Sequence, residues 1–198
     1  MSDLTRLFLA IGANDRRTAL RLLDATPSLA TACVARPDEF FLADRLAQVY
    51  EGDTSLHAAA FSYDPAMARE LITRGADIRA RNRRGAEPLH SAVNGAPGSA
   101  EWNPRQQRAV ILYLIEAGAD PDATAAGGVT PLHRAVRNRC STAVEVLLSV
   151  GADPRRENDR GSTASDLARW RTGRGGTGSA AAKAEQAIII ELLERGTS

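Results

Sequence analysis

The sequence predicts an all-α protein made of repeated helix–turn–helix units, and three observations support this prediction. The six residues TPLHRA (130–135) have near copies in TSLHAA (54–59) and EPLHSA (87–92). The leucines of consecutive copies are 33 and then 43 residues apart, which is one period and one period plus ten. An apolar pair and a Gly-Ala-Asp triplet follow each copy. Such a period indicates that each repeat is one supersecondary unit.

Each copy contains the signals of two helices. Thr130 suits an N-cap, because its hydroxyl can accept a bond from the first turn, and Pro131 suits the first helical position. The stretch STAVEVLLSV (141–150) then has the periodicity of a second, amphipathic helix. Gly151 is placed to end it in a left-handed conformation. The polar, glycine-punctuated segment before the next repeat predicts an extended loop or hairpin.

Two degenerate copies flank the three clear ones. TRLFLA (5–10) lies in the same register near the start, and TASDLA (163–168) lies 33 residues after the third copy. In TASDLA the Leu and His positions hold the polar residues Ser165 and Asp166. Terminal repeats are expected to have a more polar outer face. The sequence therefore predicts five repeats, of which the outer two are atypical.

These motifs resemble the ankyrin repeat, whose signature is T-P-L-H-x-A followed by a helix ending in Gly-Ala-Asp. The resemblance covers roughly residues 4–196. It implies an all-α ankyrin-repeat solenoid, in which stacked helix pairs share a core and hairpin loops project from one side. We predict a single domain over 1–198. Its repeats are expected at about 4–27, 53–85, 86–128, 129–161 and 162–196, with an inserted link at about 28–52.

The resemblance also implies a role for the histidines. All three, His57, His90 and His133, occupy the signature position, where the family uses histidine to hydrogen-bond the backbone of surrounding loops. A metal or acid–base site is the alternative. We expect the structural role, because it accounts for all three residues, and we expect no metal and no cofactor.

Two insertions carry aromatic residues. The first, at 28–46, contains Phe40 and Phe41, which either pack beneath the loop or anchor a partner. The second, at 94–105, lies between the two helices of the third repeat and contains Trp102. This tryptophan is either part of a lid folded back on the stack or an interface anchor.

The third insertion, at 171–183, contains the pattern GxGxxG at Gly173, Gly175 and Gly178. A dinucleotide site requires a strand before these glycines and a parallel sheet around them. Here a helix is predicted before them, and no lysine of a phosphate loop follows. We therefore predict a flexible loop.

Composition excludes several classes of protein. Apolar residues make up 43 % of the 198, and 25 basic residues nearly balance 24 acidic ones. This balance disfavours a nucleic-acid or membrane-surface protein. The chain shows neither a secretory leader nor a bilayer-spanning stretch, and Cys33 and Cys140 lack metal or redox spacing. We expect a cytoplasmic monomer with reduced thiols. Arginine in place of almost every lysine suggests a GC-rich, bacterial genome.

The resemblance implies a protein-recognition module without catalysis, which binds through hairpin tips and first-helix residues. Carried over by position, the expected partner-binding residues are Tyr50, Glu51, Phe61, Arg81, Arg83, Arg84, Arg137, Asn138, Asp159 and Arg160. We expect the largest contributions from Tyr50 and the arginines at 81, 83, 84 and 137, since such side chains dominate binding energy. The basic tip RNRR (81–84) favours a partner with an acidic patch.

The sequence leaves three other functions to compare with protein recognition. An enzyme, or a small-molecule binder using the Trp102 loop, is the main alternative, and a nucleic-acid module would need a continuous basic stripe. We also expect that replacing Arg81 and Arg84 by glutamate weakens partner binding and leaves the melting temperature nearly unchanged.

Overall fold

The computed structural model describes residues 1–35, 41–42, 47–95, 97–100, 102–169 and 179–196. Within them the chain forms ten α-helices in five consecutive pairs. The helices are α1 (Asp3–Gly12), α2 (Arg16–Ala25), α3 (Ser55–Phe61), α4 (Pro65–Thr73), α5 (Pro88–Ala92), α6 (Pro104–Glu116), α7 (Pro131–Arg137), α8 (Ser141–Ser149), α9 (Ala164–Arg169) and α10 (Ala180–Gly196).

The link between the first two pairs contains the remaining regular structure of the described residues. A 3₁₀ turn covers Pro27–Ala30, and the two-residue strands β1 (Phe41–Leu42) and β2 (Ala47–Gln48) pair antiparallel. This small ladder lies outside the helix pairs. The predicted all-α solenoid is confirmed.

The helices stack in two rows. The first helices α1, α3, α5, α7 and α9 contact one another in succession, and α4, α6, α8 and α10 form the second row. The signature leucine of each central pair is buried in the core, and so is a leucine of its second helix. These core residues, each at most 1 % exposed, are Leu56, Leu71, Leu89, Leu114, Leu132 and Leu147.

The ends of the helices follow the predicted local rules. The Thr130 hydroxyl accepts from the backbone N–H of His133, and Pro131 is the first residue of α7. In the three central pairs the glycine after the second helix has a positive φ, with values of 94° at Gly75, 106° at Gly118 and 91° at Gly151. Glycine adopts this left-handed conformation without the Cβ penalty of other residues.

The signature histidines join neighbouring units. Nδ1 of His57 accepts from the backbone N–H of Thr54 (3.1 Å), so its proton is on Nε2, which donates to the Ala86 carbonyl (3.0 Å). His90 and His133 repeat this pattern, bonding the carbonyls of Val129 and Ser162. The structural role implied by the resemblance is confirmed by these bonds.

Burial keeps these imidazoles neutral. Loss of hydration lowers the pKa of His57 and His133, and it lowers the pKa of His90 to about 3. In α9 the same position is occupied by Asp166, whose carboxylate accepts from the backbone N–H and the hydroxyl of Thr163. The last pair therefore keeps the helix cap and lacks the imidazole bridge.

The predicted ends of two insertions overlap the helices that follow them. Residues 104–105 already belong to α6, and residues 180–183 belong to α10. Proline at the first turn explains the earlier start of α6. The GxGxxG glycines fall within 171–178, outside the described residues.

Candidate functional site

The hairpins that precede the second to fifth pairs are joined at their tips. Three backbone hydrogen bonds connect successive tips, and in each of them the N–H donor belongs to the later tip. They run from Arg83 N to Glu51 O (2.8 Å), from Ala126 N to Arg84 O (2.8 Å) and from Asp159 N to Gly127 O (3.0 Å). The tips therefore form one continuous edge of the stack.

An asparagine closes two of these hairpins. The Asn82 side-chain oxygen accepts from the backbone N–H groups of Arg84 (2.9 Å) and Ala86 (3.1 Å). Asn158 bonds its own hairpin in the same way. Ala125 occupies this position in the hairpin between them and has no such acceptor, although its N–H still donates to Val129.

Two arginines of one tip lie over the tyrosine of the preceding tip. The guanidinium carbon of Arg84 is 4.8 Å from the centre of the Tyr50 ring, and that of Arg83 is 5.4 Å away. Both distances are suitable for cation–π attraction. This stacking holds aromatic and cationic groups together at the tip edge.

A cavity of about 320 Å³ lies between the tips and the first helices. We call it the arginine recess, defined by Tyr50, Phe61, Arg84, Arg134, Arg137 and Asn138. The amide of Asn138 donates to the side-chain oxygen of Asn94 (2.7 Å), which also lines the cavity. The recess thus combines aromatic walls, amides and three guanidinium groups.

The carboxylate that lines this cavity, that of Asp53, already has hydrogen-bond donors within the protein. Asp53 accepts from the Asn82 amide (2.8 Å) and from the Tyr50 backbone N–H (2.7 Å), and it lies 3.8 Å from Nε2 of His57. Among the described residues, no carboxylate lies within salt-bridge distance of Arg84, Arg134 or Arg137. The recess has an excess of positive charge.

Arg134 is the most enclosed of the three arginines. Its guanidinium donates to the His90 carbonyl (3.3 Å). Burial, followed by the positive charge of Arg137, lowers the pKa of Arg134. An arginine in such surroundings gains from an added anion, since the anion offsets both effects.

A family model described as ankyrin repeats matches residues 56–158 in three copies. The chain belongs to the ankyrin repeat family. This stretch begins in α3 and ends in the hairpin after α8, so it includes most of the arginine recess. The pairs α1–α2 and α9–α10 lie outside it.

Two curated proteins are similar to this ankyrin repeat chain. Ankyrin repeat and SOCS box protein 16 of Mus musculus is 35 % identical over 117 residues, covering 58 % of this chain and 25 % of the relative. The Homo sapiens protein of the same name is 33 % identical over 172 residues, covering 84 % of this chain and 37 % of the relative. The chain therefore spans at most 37 % of the length of these relatives.

The ankyrin fold brings half of the predicted partner-binding residues together. Tyr50, Phe61, Arg84, Arg137 and Asn138 line the arginine recess, with Phe61 half-buried against the core. The other five, which do not line it, are Glu51, Arg81, Arg83, Asp159 and Arg160. Glu51, Arg83, Asp159 and Arg160 are exposed at the tips.

Arg81 has a structural partner, which bears on the expectation for the double glutamate variant. Its guanidinium bonds the Glu87 carboxylate (2.9 Å) and the Thr124 carbonyl (3.2 Å). Glu87 is only 4 % exposed, and its second oxygen has no hydrogen-bond partner. These contacts argue against a nearly unchanged melting temperature, because Arg81→Glu would leave a buried carboxylate beside a second negative charge.

The Trp102 loop packs on the stack. The indole N–H donates to Gln107 (2.9 Å), whose amide donates in turn to the carbonyls of Ala92 and Asn94. The Cys140 thiol donates to the same Gln107 oxygen. Burial raises the pKa of this thiol to about 11. These contacts match the lid alternative. Phe40 lies outside the described residues, as does the side chain of Phe41.

A second cavity of about 840 Å³ lies beside this loop, among residues such as Asn14, Asp64 and Asn103. Its buried carboxylate, Asp64, caps α4 and pairs with Arg16 (2.7 Å). The described part of the chain contains no group of three or more potential metal ligands. No described helix is both long and apolar enough to cross a membrane.

Sequence reasoning missed Arg134, the most enclosed arginine of the recess. It stands at the variable position of TPLHRA, where the other two clear copies have Ala58 and Ser91. Comparing this position among the three clear copies would have revealed one large cation beside two small residues.

Proposed function

We propose that the chain is a non-catalytic protein-interaction module that binds its partner with the hairpin tips and the inner surface of the first helices. Membership of the ankyrin repeat family supports recognition of proteins as the general role. The observation that carries the proposal is the arginine recess. In one concavity it combines the tip residues Tyr50 and Arg84 with Arg137 of α7 and with Asn138, the C-terminal cap of that helix.

The partner surface that fits is acidic. The exposed Arg83 and Arg84 cover the Tyr50 ring at the rim, and Arg134 and Arg137 lie within the recess. Complementary charge mainly raises the association rate and the specificity. A tip edge held by backbone bonds loses little conformational entropy on docking, which preserves affinity.

The test is capture of binding proteins from a lysate of the native organism, identified by mass spectrometry. The baits are the wild type, the pair Arg84→Glu/Arg137→Glu, and the pair Arg17→Glu/Arg105→Glu as a control. Both pairs change the net charge equally, but Arg17 and Arg105 are exposed on second helices. We expect one protein to be enriched by wild type and control and lost with the recess pair. Equal capture by all three baits would reject this surface.

The expected residues outside the recess belong to the same proposal. We propose that Glu51, Asp159 and Arg160 contact the partner at the tip edge and that Arg81 acts mainly by holding Glu87. We further propose five repeats within one monomeric domain. Light scattering of the purified chain tests the monomer. The cytoplasmic location and the bacterial origin stay predictions.

A further inference from the structure

We propose that the arginine recess is the binding site for a side-chain carboxylate of the partner, supplied by an internal acidic segment. This inference rests on the proposed function and goes further, because it names the group that enters the cavity. Three guanidinium groups reach the recess from two elements, Arg84 from a hairpin tip and Arg134 and Arg137 from α7.

The placement of these arginines requires an explanation. Arg134 and Arg137 are three residues apart on one helix, a spacing that brings like charges together at an energetic cost. Among the described residues neither has a carboxylate partner, and Asp53 is held by Asn82 and Tyr50. Three guanidiniums against one carboxylate leave the cavity two positive charges in excess, which a bound anion would offset.

The size and walls of the recess favour a glutamate or aspartate side chain. A cavity of about 320 Å³ can take one side chain with its water. Phe61 and the Tyr50 ring can contact its methylene groups, and a guanidinium fork matches a carboxylate with two parallel bonds. Nucleic acid fits less well, because Ala126 and the acidic Asp159 continue the tip row where a phosphate backbone would need more cations.

The arginine side-chain N–H signals of the ¹⁵N-labelled protein test the proposal without any partner. The probe is the capped peptide acetyl-GSGEEEGSG-amide, titrated to about 20 mM at constant ionic strength, with acetyl-GSGQQQGSG-amide as the neutral control. A third peptide with phosphoserine in place of the central glutamate examines phosphate as the bound group. An uncapped peptide that ends in a free carboxylate examines a C-terminus. Single Arg→Gln variants assign the signals.

We expect saturable shifts of Arg84, Arg134 and Arg137 with the glutamate peptide and none with the glutamine peptide. Arg137→Gln should weaken binding at least about tenfold, and Arg105→Gln should leave it unchanged. Absence of saturation, or equal shifts of all exposed arginines, would overturn the proposal. Tighter binding of the phosphoserine peptide or of the free C-terminus would also overturn it. If the peptide titration fails but Arg84→Glu/Arg137→Glu loses the captured protein, the carboxylate proposal is rejected and the proposed interaction surface is retained.

Discussion

The Nε2–H group of His57 donates a hydrogen bond to the backbone carbonyl of Ala86, 29 residues further along the chain. The imidazole thereby connects the first turn of one repeat to the hairpin that begins the next. Because Nδ1 bonds Thr54, each histidine satisfies one backbone donor and one backbone acceptor that would otherwise be buried without partners.

We predict that His57→Ala lowers the free energy of unfolding by about 3 kcal/mol, since two buried hydrogen bonds and a packed ring are lost. Asp166→Ala, which removes only a cap from the last pair, should cost about 1 kcal/mol. Urea unfolding followed by circular dichroism measures both. Equal losses for the two variants would contradict the bridging role of the imidazole.

We predict that stability falls as the pH falls below about 6.5, the ordinary histidine pKa. Burial lowers the pKa of all three histidines, so the unfolded chain binds protons that the folded chain excludes. Well below that pH, and down to about pH 3, His90 contributes a slope of about 1.4 kcal/mol per pH unit, and His57 and His133 add to it in the same direction.

The pH prediction is checked by urea unfolding between about pH 7.5 and 5.5, above the range in which ordinary carboxylates titrate. His90→Gln should reduce the slope by the contribution of one histidine. A free energy of unfolding that stays constant over this range would show that the histidines are not protonated preferentially in the unfolded state.

We predict that Arg81→Glu lowers the free energy of unfolding by about 2 kcal/mol, a figure reduced because Arg81 is half-exposed. Glu87 occupies the N-cap position held by Thr54 and Thr130 in the neighbouring repeats, and burial raises its pKa. Glu87→Thr should stabilise the protein by about 1 kcal/mol and make Arg81→Glu nearly harmless. Thermal unfolding of the two single variants and the double variant measures this coupling. Additive losses would contradict it.

We predict that Ala125→Asn stabilises the protein by about 0.5–1 kcal/mol, because the amide oxygen would accept the two hairpin N–H groups that Asn82 accepts in its own hairpin. Asn82→Ala should cost a similar amount or more, since Asn82 also holds Asp53. Denaturant titrations give both values. A loss of stability in Ala125→Asn would mean that the site, which is 8 % exposed, has no room for the amide.

The repeated elements were predictable from the sequence because their determinants are local. Thr130, Pro131 and Gly151 signal the ends of helices by themselves, and the signature spacing defines the stack. The arginine recess and the partner of Arg81 were less predictable. They depend on which side chains of different repeats meet across a hairpin, and periodicity does not encode this. Burial of Glu87 was hidden for the same reason, since a charged residue at an N-cap position ordinarily lies in solvent.

The Trp102 loop also affects how the repeats unfold. In an ideal solenoid each unit contacts only its neighbours, so the end units fray independently. Here a Cβ atom built on Gly98, in the third pair, would lie 3.7 Å from the Cβ of Ala181 at the start of α10, in the fifth. The carboxylate of Glu185 in α10 also accepts from the backbone N–H of Ser141 in the fourth pair (2.9 Å). The approach of the Trp102 loop to α10 bypasses the fourth unit, so we expect the last three units to unfold together and not to fray one by one.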